Sequence, residues 1–548
     1  PVVGRRPRCL VPTPPGAMRR LAPAVLVAVW GAAGAEEGSC PAGGCEAKRG
    51  YHWPNVRGLA GQYGVSNFTV PKDLSKPSWR WHHESGQYGT VVVGGPVIDD
   101  ESNLYFTEMT KLLKMSPDGQ VIWTAPPPAG TKFPDGPSIH KGGVFQTTVA
   151  GELCKFRMDS GERVWCKKYY AHTGGDSKYV TSHDGVVVIG TDNAQQQGGG
   201  SKHVLGISTE TGEKLWDFAP DKPTWNNMGM FTNEDTMVLQ DWDAKVYCLG
   251  LHNGSLLWKN GGSDGRTWTD GGTIIGADGI VYSHWARRHQ DQASTPFLGG
   301  GISAYRLSDG KFLWTREMRH GVYTWPVAGK LHDGDDRWSV VTAAGAIPPC
   351  MPWKSVLLFV LQQRVPRAFP RWLILEAVVF LLSWCKLPCW KWKAMFLRLF
   401  TVFMIAIAAG AYECYTHVSA ISNFPGEITA FDAETGSVRW HYDLPPWMKV
   451  AARGDEEGWI PRWKTPWRGT CCPASFGSPS VDGDGTVYIG FVSGVFYGIK
   501  DRNADGWIDE ESEVQTFDAE AAFLHSGSAF APGIFTFSTC DSVWAWRT

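Results

Sequence analysis

One phrase recurs through this chain: a short apolar strand, a tight turn containing Gly, and a second strand that ends in Trp. Its copies close at Trp123 (SPDGQVIW), Trp165 (MDSGERVW), Trp216 (STETGEKLW), Trp258 (LHNGSLLW), Trp314 (LSDGKFLW) and Trp440 (DAETGSVRW). Apart from one interrupted copy the period is roughly 40 to 56 residues, the spacing of propeller blades and other repeat arrays. A unit of that size cannot bury its own apolar face, so neighbouring units must stack around an axis. Gly 64 and Trp 28 exceed ordinary usage. Gly serves the turns, and a recurrent Trp supplies each unit with a large rigid element to pack against the next.

Within the repeats the strands can be read one by one. In the seventh, SPSV forms an inner strand A and Asp482-Gly483-Asp484-Gly485 turns into strand B (TVYIGF). Val492-Ser493-Gly494 then leads to strand C (VFYGIK). Alternating β-branched and aromatic residues between Gly and Asp turns are what antiparallel strands require. Beyond this repeat only two or three strands remain, including Gly533 to Ser538 and Ser542 to Trp546, while Trp79-Arg80-Trp81 reads as an orphan outer strand near the other end. Joining them closes the ring and removes exposed sheet edges. The expectation is an all-β fold: an eight-bladed β-propeller of four-stranded antiparallel blades, sealed by strands from both termini.

Before the ring, residues 1–17 precede Met18 and read as upstream sequence. Residues 18–35 have the pattern of a secretory signal: Arg19 and Arg20, the apolar run Leu21 to Trp30, and Ala33-Gly34-Ala35 as a cleavage site. Residues 36–74 form an N-terminal extension, and the propeller occupies 75–345 and 424–548. A secreted or lumenal location follows, with Asn67-Phe68-Thr69 and Asn253-Gly254-Ser255 as glycosylation acceptors. Of the 13 cysteines, Cys9 lies upstream and Cys350, Cys385, Cys389 and Cys414 lie in an unusual insert, which leaves an even number free to pair. Cys154 and Cys166 flank the Asp159-Ser160-Gly161 turn symmetrically, so a regular hairpin places them opposite one another, within disulfide reach. Cys40 and Cys45 flank a short CPAGGC loop and can close on each other; buried free thiols are the alternative for both pairs.

The phrase Ala430-Phe431-Asp432-Ala433-Glu434-Thr435-Gly436, followed by Trp440 and preceded elsewhere by GTVYIG-like strands, resembles the PQQ repeat of the quinoprotein alcohol dehydrogenase-like superfamily. The resemblance covers about residues 75–548 outside the insert. It implies a propeller, often eight-bladed. For function it implies either a quinone-dependent dehydrogenase or a scaffold that keeps the repeat without cofactor.

The insert spans 346–423 and is rich in Leu, Phe, Trp and Val with interspersed basic residues. It separates WSVVTAAG from GEITAFDAETG, two strands of blade six that read continuously without it. It is a retained intron, a membrane-touching or partner-binding insertion, or a helical cap, and helical segments are expected in it. Its apolar runs fall short of the ~20 residues that span a bilayer, so membrane contact arises only if the insert belongs to the mature protein. Lys+Arg 52 against Asp+Glu 54 leaves no charge excess, and no nucleic-acid partner is expected.

The long B–C and D–A connections all emerge on one face of such a ring, and loops on a rigid scaffold carry function. At the starts of the inner strands that face could present His172, Trp225, Asn226, Asn227, Trp268, Asp270, His320, Tyr323, Trp325, Arg468 and His525. Together they would suit a sugar, a protein or a quinone (PQQ), although Trp and His can equally pack the channel. Some quinone-dependent alcohol dehydrogenases that this chain resembles carry a vicinal disulfide ring, and Cys471-Cys472 lies on the same face; bonding of the two cysteines elsewhere is the alternative. A calcium site is expected in the C–D turn of blade seven, on the opposite face. Oxygens of Asp501, Asn503, Asp505 and Asp509 and the Trp507 carbonyl alternate there around Gly506, with Ser512 at the twelfth position and Glu511 or Glu513 as substitutes. The functional expectation is a non-catalytic binding or scaffold propeller for a glycan, protein or cell-surface partner, with a PQQ-dependent oxidoreductase of alcohols or sugars as the alternative.

Overall fold

Short runs of β-branched and aromatic residues bounded by Gly and Asp turns form strands of two to ten residues that pair antiparallel with their neighbours. The computed structural model describes residues 50–547 except 72, 171–178, 193–199, 227, 264, 270–271, 288–298, 333–335, 349–422, 450, 456, 459–470, 472 and 526. The strands build an eight-bladed β-propeller. In blades 1 to 7 the order runs A-B-C-D from the axis outward, beginning with Val97–Ile98, Leu104–Glu108, Lys111–Met115 and Val121–Ala125, and in blade 5 two short strands, Thr267–Trp268 and Ile274–Ile275, both pair with strand B. Blade 8 takes Ser528–Ala531, Ile534–Ser538 and Ser542–Arg547 from the C-terminal end. Trp79–His82 forms its outer strand, with Trp79 opposite Ala545 and His82 opposite Ser542. The expected closure by both ends of the ring is present.

The recurrent Trp and Gly are partners across blade boundaries. Four of the recurrent Trp indoles donate to a carbonyl just ahead of the next blade's C–D turn: Trp123 to Met158 (3.0 Å), Trp216 to Leu251 (2.7 Å), Trp258 to Leu307 (2.9 Å) and Trp314 to Ala433 (2.9 Å). The ring then lies over the turn Gly. A Cβ on Gly436 (φ +69°) would sit 2.7 Å from Trp314, so the position needs both glycine's left-handed backbone and its missing side chain. Trp79 makes the same clasp on Pro117 and Gly119, carrying it from blade 8 to blade 1.

The inner edges are finished differently. Strand A of each blade turns an unpaired backbone edge toward the channel, and such groups need partners when buried. The segment Tyr51–Val70 supplies them. Trp53 and Ile98 exchange backbone bonds of 2.9 and 2.8 Å in blade 1, and Ile139 N donates to Pro54 O in blade 2. Asn55 Oδ1 accepts from Ser182 N in blade 3, and Tyr63 OH accepts from Phe231 N in blade 4. The Gln62–Tyr63 strand packs on Ile274–Ile275 of blade 5. Val481 N of blade 7 donates to Gly64 O, and Trp53 packs against Phe530 of blade 8. Arg57 adds blade 6 by donating to Pro326 O. This plug touches all eight blades. Its contacts include the last residues of strands A and the A–B turn residue Asp482, whose carboxylate accepts from Val70 N, so it closes the channel from the A–B/C–D side.

In blade 6, Ser339–Gly345 and Phe424–Asp432 pair continuously up to Gly345 opposite Gly426, and Ala346 N donates to Pro425 O. The chain therefore leaves this hairpin and returns to it at adjacent points; the helical segments expected between lie outside the described residues. Cys154 and Cys166 face each other in register and are disulfide-bonded, with Cα atoms 4.1 Å apart. The Cys40–Cys45 pair and the signal pattern lie outside the described residues. Asn67 and Asn253 are both exposed. Among the described residues no helix is long and apolar enough to cross a membrane.

Candidate functional site at the open channel mouth

The plug closes one end of the channel, and its other end lies among the B–C and D–A connections. Trp325 stands just before strand A of blade 6 and is fully buried, its ring 5.1 Å from Tyr179 of blade 3 and 5.6 Å from His525 of blade 8, edge-on to both. Side chains from three blades thus meet across the axis. Trp268 lies 5.2 Å from Tyr323, and this pair packs on Ala286 and Ala474. Trp225 pairs instead with Trp242 at 6.2 Å, while buried Asn226 takes a left-handed backbone (φ +42°) beside it. His320 is half-buried and its backbone N–H donates to Glu427. Desolvation lowers the His320 pKa. His172, Asn227, Asp270, Arg468 and Cys472 lie outside the described residues.

Cys471 corrects the vicinal-ring expectation. It is bonded to Cys540 in the B–C turn of blade 8, with Cα atoms 5.7 Å apart, an ordinary reach for a disulfide. A bond between adjacent cysteines strains the peptide that joins them, whereas a bond across the mouth ties two loops of one face without that strain. Asp455 steadies this loop by accepting from Cys471 N at 2.6 Å.

The sequence reading missed Arg57, which rises from the plug to form the floor of the mouth. Its Nη2 donates to Pro479 O at 2.7 Å and to Pro326 O at 3.3 Å, two carbonyls that precede strands A of blades 7 and 6. Glycines make room for it: a Cβ on Gly64 or on Gly527 would lie 2.5 Å from Nη2 or Nη1. Burial pushes the guanidinium pKa down to about 9, so it stays charged at neutral pH. The sequence offers no clue beyond an Arg-Gly pair, one of two in an irregular extension that has no period to read. On strand B of blade 5, His284 is also fully buried; desolvation, and then its neighbour His525, lower its pKa to about 3, so it is neutral. Thr269 Oγ1 lies 3.0 Å from its Nε2.

Two overlapping stretches of the chain, residues 108–273 and 173–324, match the PQQ_2 family model, described as outer membrane protein assembly factor BamB. The chain is an eight-bladed β-propeller, and residues 108–324 of it carry repeats of the PQQ type. Among solved structures it is similar to BamB from Moraxella catarrhalis, at 11% identity and a TM-score of 0.49 over 86% of this chain and 99% of that one. It is similar to quinohemoprotein alcohol dehydrogenase from Comamonas testosteroni, at 11% identity and 0.48 over 92% and 81%. A europium-containing methanol dehydrogenase reaches a TM-score of 0.50 at 9% identity over 92% and 99%, and this likeness concerns the fold alone. No curated protein matches the chain in sequence.

Two groups of described residues bring three metal-ligating side chains within 4.8 Å of one another. Asp184, Asp235 and His252 are exposed turn residues on the plugged side. Glu427, His441 and Asp443 lie on strands C and D of blade 6, where Arg319 already bonds Glu427 at 2.9 Å and also bonds Asp443. In the C–D turn of blade 7, Asp501 is buried with Oδ2 accepting from Gly506 N and Oδ1 without a partner. Glu513 turns inward, its carboxylate accepting from the backbone N–H groups of Arg502, Asn503 and Asp509. Asp505 accepts from Trp507 N, and Asp509 caps the short helix Glu510–Glu513. The loop carboxylates are thus held by the backbone rather than gathered within 4.8 Å of one another.

Proposed function

We propose that this is a secreted or lumenal binding propeller that holds a glycan, protein or cell-surface partner on its B–C/D–A face. The observation that carries the reading is the one-sided channel: the chain fills one end with its own plug, while aromatic rings and hydrogen-bond donors gather at the other. Loops carried at one end of a rigid scaffold are where binding sites form. Disulfides at Cys154–Cys166 and Cys471–Cys540 support an oxidising compartment. The test is a glycan array and surface binding assays with the full chain. Trp268→Ala should weaken any captured ligand at least tenfold, and Trp507→Ala, on the plugged side and 75% exposed, should not. Equal effects from the two variants would remove the mouth from this reading.

A second reading, quinone-dependent oxidation of an alcohol or sugar, rests on the donors around Arg57, which suit the carboxylates of PQQ. The cation that accompanies such a quinone needs converging carboxylates, and the described groups that could share a cation lie away from the inner strands. The fit is therefore incomplete among the described residues. Reconstitution with PQQ and calcium, followed by absorbance and dehydrogenase assay, decides it.

Calcium at Asp501–Asp509 is proposed as a structural ion. The support is the buried, unpartnered Asp501 Oδ1 and the inward Glu513. At free calcium about 100-fold above Kd the fold would gain about 2.7 kcal/mol, and Asp501→Asn should abolish most of that increment. A melting temperature indifferent to calcium and chelator would exclude the site.

A further inference from the structure

Arg57 carries a charge into the centre of the ring with no accessible surface. Nη2 is satisfied by two backbone carbonyls, but Nε and Nη1 have no hydrogen-bond partner. Among the described residues no carboxylate forms an ion pair with it, and the Tyr179 phenol offsets its desolvation only in part. A buried guanidinium in that state is costly, since charges inside proteins persist when paired.

The atoms around it share one character. Trp325 Nε1 and Ser528 Oγ are both buried and without partners. Trp325 abuts both Tyr179 and His525, and Ser528 follows directly after Gly527, over which Arg57 Nη1 lies. Indole and guanidinium nitrogens can only donate, and the hydroxyl can donate or accept. His284, beyond His525, is neutral and adds no countercharge. Among the described residues the surroundings of Arg57 are therefore rich in donors and hold no countercharge for it.

We propose that Arg57 marks a binding site for a small monovalent anion, a carboxylate or a halide, with its guanidinium as counter-charge and Trp325 Nε1 as a further donor. Water could satisfy the donors but would leave the charge unbalanced, which is why an anion is favoured. The site lies beneath the loops and is independent of what docks on them. Because Arg57 comes from the plug, occupancy would also lock the plug to strands A of blades 6, 7 and 8.

The experiment uses the full chain, dialysed into low-salt Hepes and melted against sodium acetate or sodium chloride in parallel arms. Site binding gives a melting temperature that rises and saturates; for a ligand at 100-fold its Kd the folded-to-unfolded ratio rises about 100-fold. Saturation in the acetate arm alone assigns a carboxylate, and saturation with chloride assigns a halide. Arg57→Met should remain folded by near-ultraviolet circular dichroism and lose the saturable response, while Trp325→Phe should shift it to higher concentration. Should Arg57→Met not fold, the Trp325→Phe shift and calorimetric titration of the wild type with acetate and chloride carry the test. A response in both arms that is linear in salt and the same in wild type and variants would overturn the proposal, as would calorimetry showing no heat of binding.

Discussion

The outer and inner edges of the blades are held by opposite kinds of interaction. At the outer edge one clasp, Trp on the turn Gly of the next blade, repeats from blade to blade and is bought by a short motif. At the inner edge the contacts are of several kinds: Trp53, Asn55, Tyr63 and Gly64 reach different blades through backbone, amide and phenol groups, and Arg57 bridges blades 6 and 7. The repeated clasp makes a ring, and the single-use plug makes the ring's two ends different. Only the second gives the channel a floor, a direction and a charge.

The largest effect expected on this contrast comes from removing the chain up to Pro71. Each lost hydrogen bond is worth about 1 kcal/mol net, and loss of the buried Trp53 packing adds about 3–5 kcal/mol. Together these approach the whole stability of an ordinary domain. Thermal melting of the truncated chain should show loss of cooperative unfolding, and a melting temperature within a few degrees of the full chain would show that the outer clasps alone suffice.

Next in size is the clasp itself. Trp314→Ala should cost about 3–5 kcal/mol by denaturant unfolding. Gly436→Ala, which pushes a Cβ into the same indole at a left-handed backbone, should also destabilise. Combined, the two should cost less than their sum, because removing the indole relieves the clash. Strict additivity would mean that the ring and the turn do not act as one unit.

A smaller, pH-dependent effect belongs to the inner region. His284 titrates near 3 in the fold against an ordinary value of 6.5, so between those values the unfolded chain binds the extra proton. Its contribution is fully present above pH ~6.5 and declines on acidification, at about 1.4 kcal/mol per pH unit for a single imidazole. His284→Gln should flatten the stability profile between pH 4 and 6.5 by roughly that slope. An unchanged slope would show that the imidazole is not held neutral.

The smallest effect is expected from deleting residues 347–423. Strands Ser339–Gly345 and Phe424–Asp432 already pair up to Gly345 and Gly426, so a short turn can replace the insert with a change of no more than about 1 kcal/mol. A deletion variant that fails to fold would make the insert an integral part of blade 6, on neither side of the inner–outer contrast.

The sequence by itself determined whatever repeats. Period, turn glycines and terminal tryptophans made the eight blades, the closure through Trp79–His82 and the Cys154–Cys166 bridge legible, because strand pairing and hairpin register are local consequences of alternation and turn chemistry. It did not disclose the plug or Arg57, whose partner Pro479 lies 422 residues away, since such contacts leave no period along the chain. For the same reason Cys471 could be read as the partner of its neighbour, while the tertiary structure gives it Cys540, 69 residues on. Among the candidate residues of the mouth, only packing across the axis decided that Trp325 meets Tyr179 and His525 while Trp225 turns to Trp242. A repeat can state how each blade folds, but the position of a side chain relative to the axis depends on all eight blades being closed.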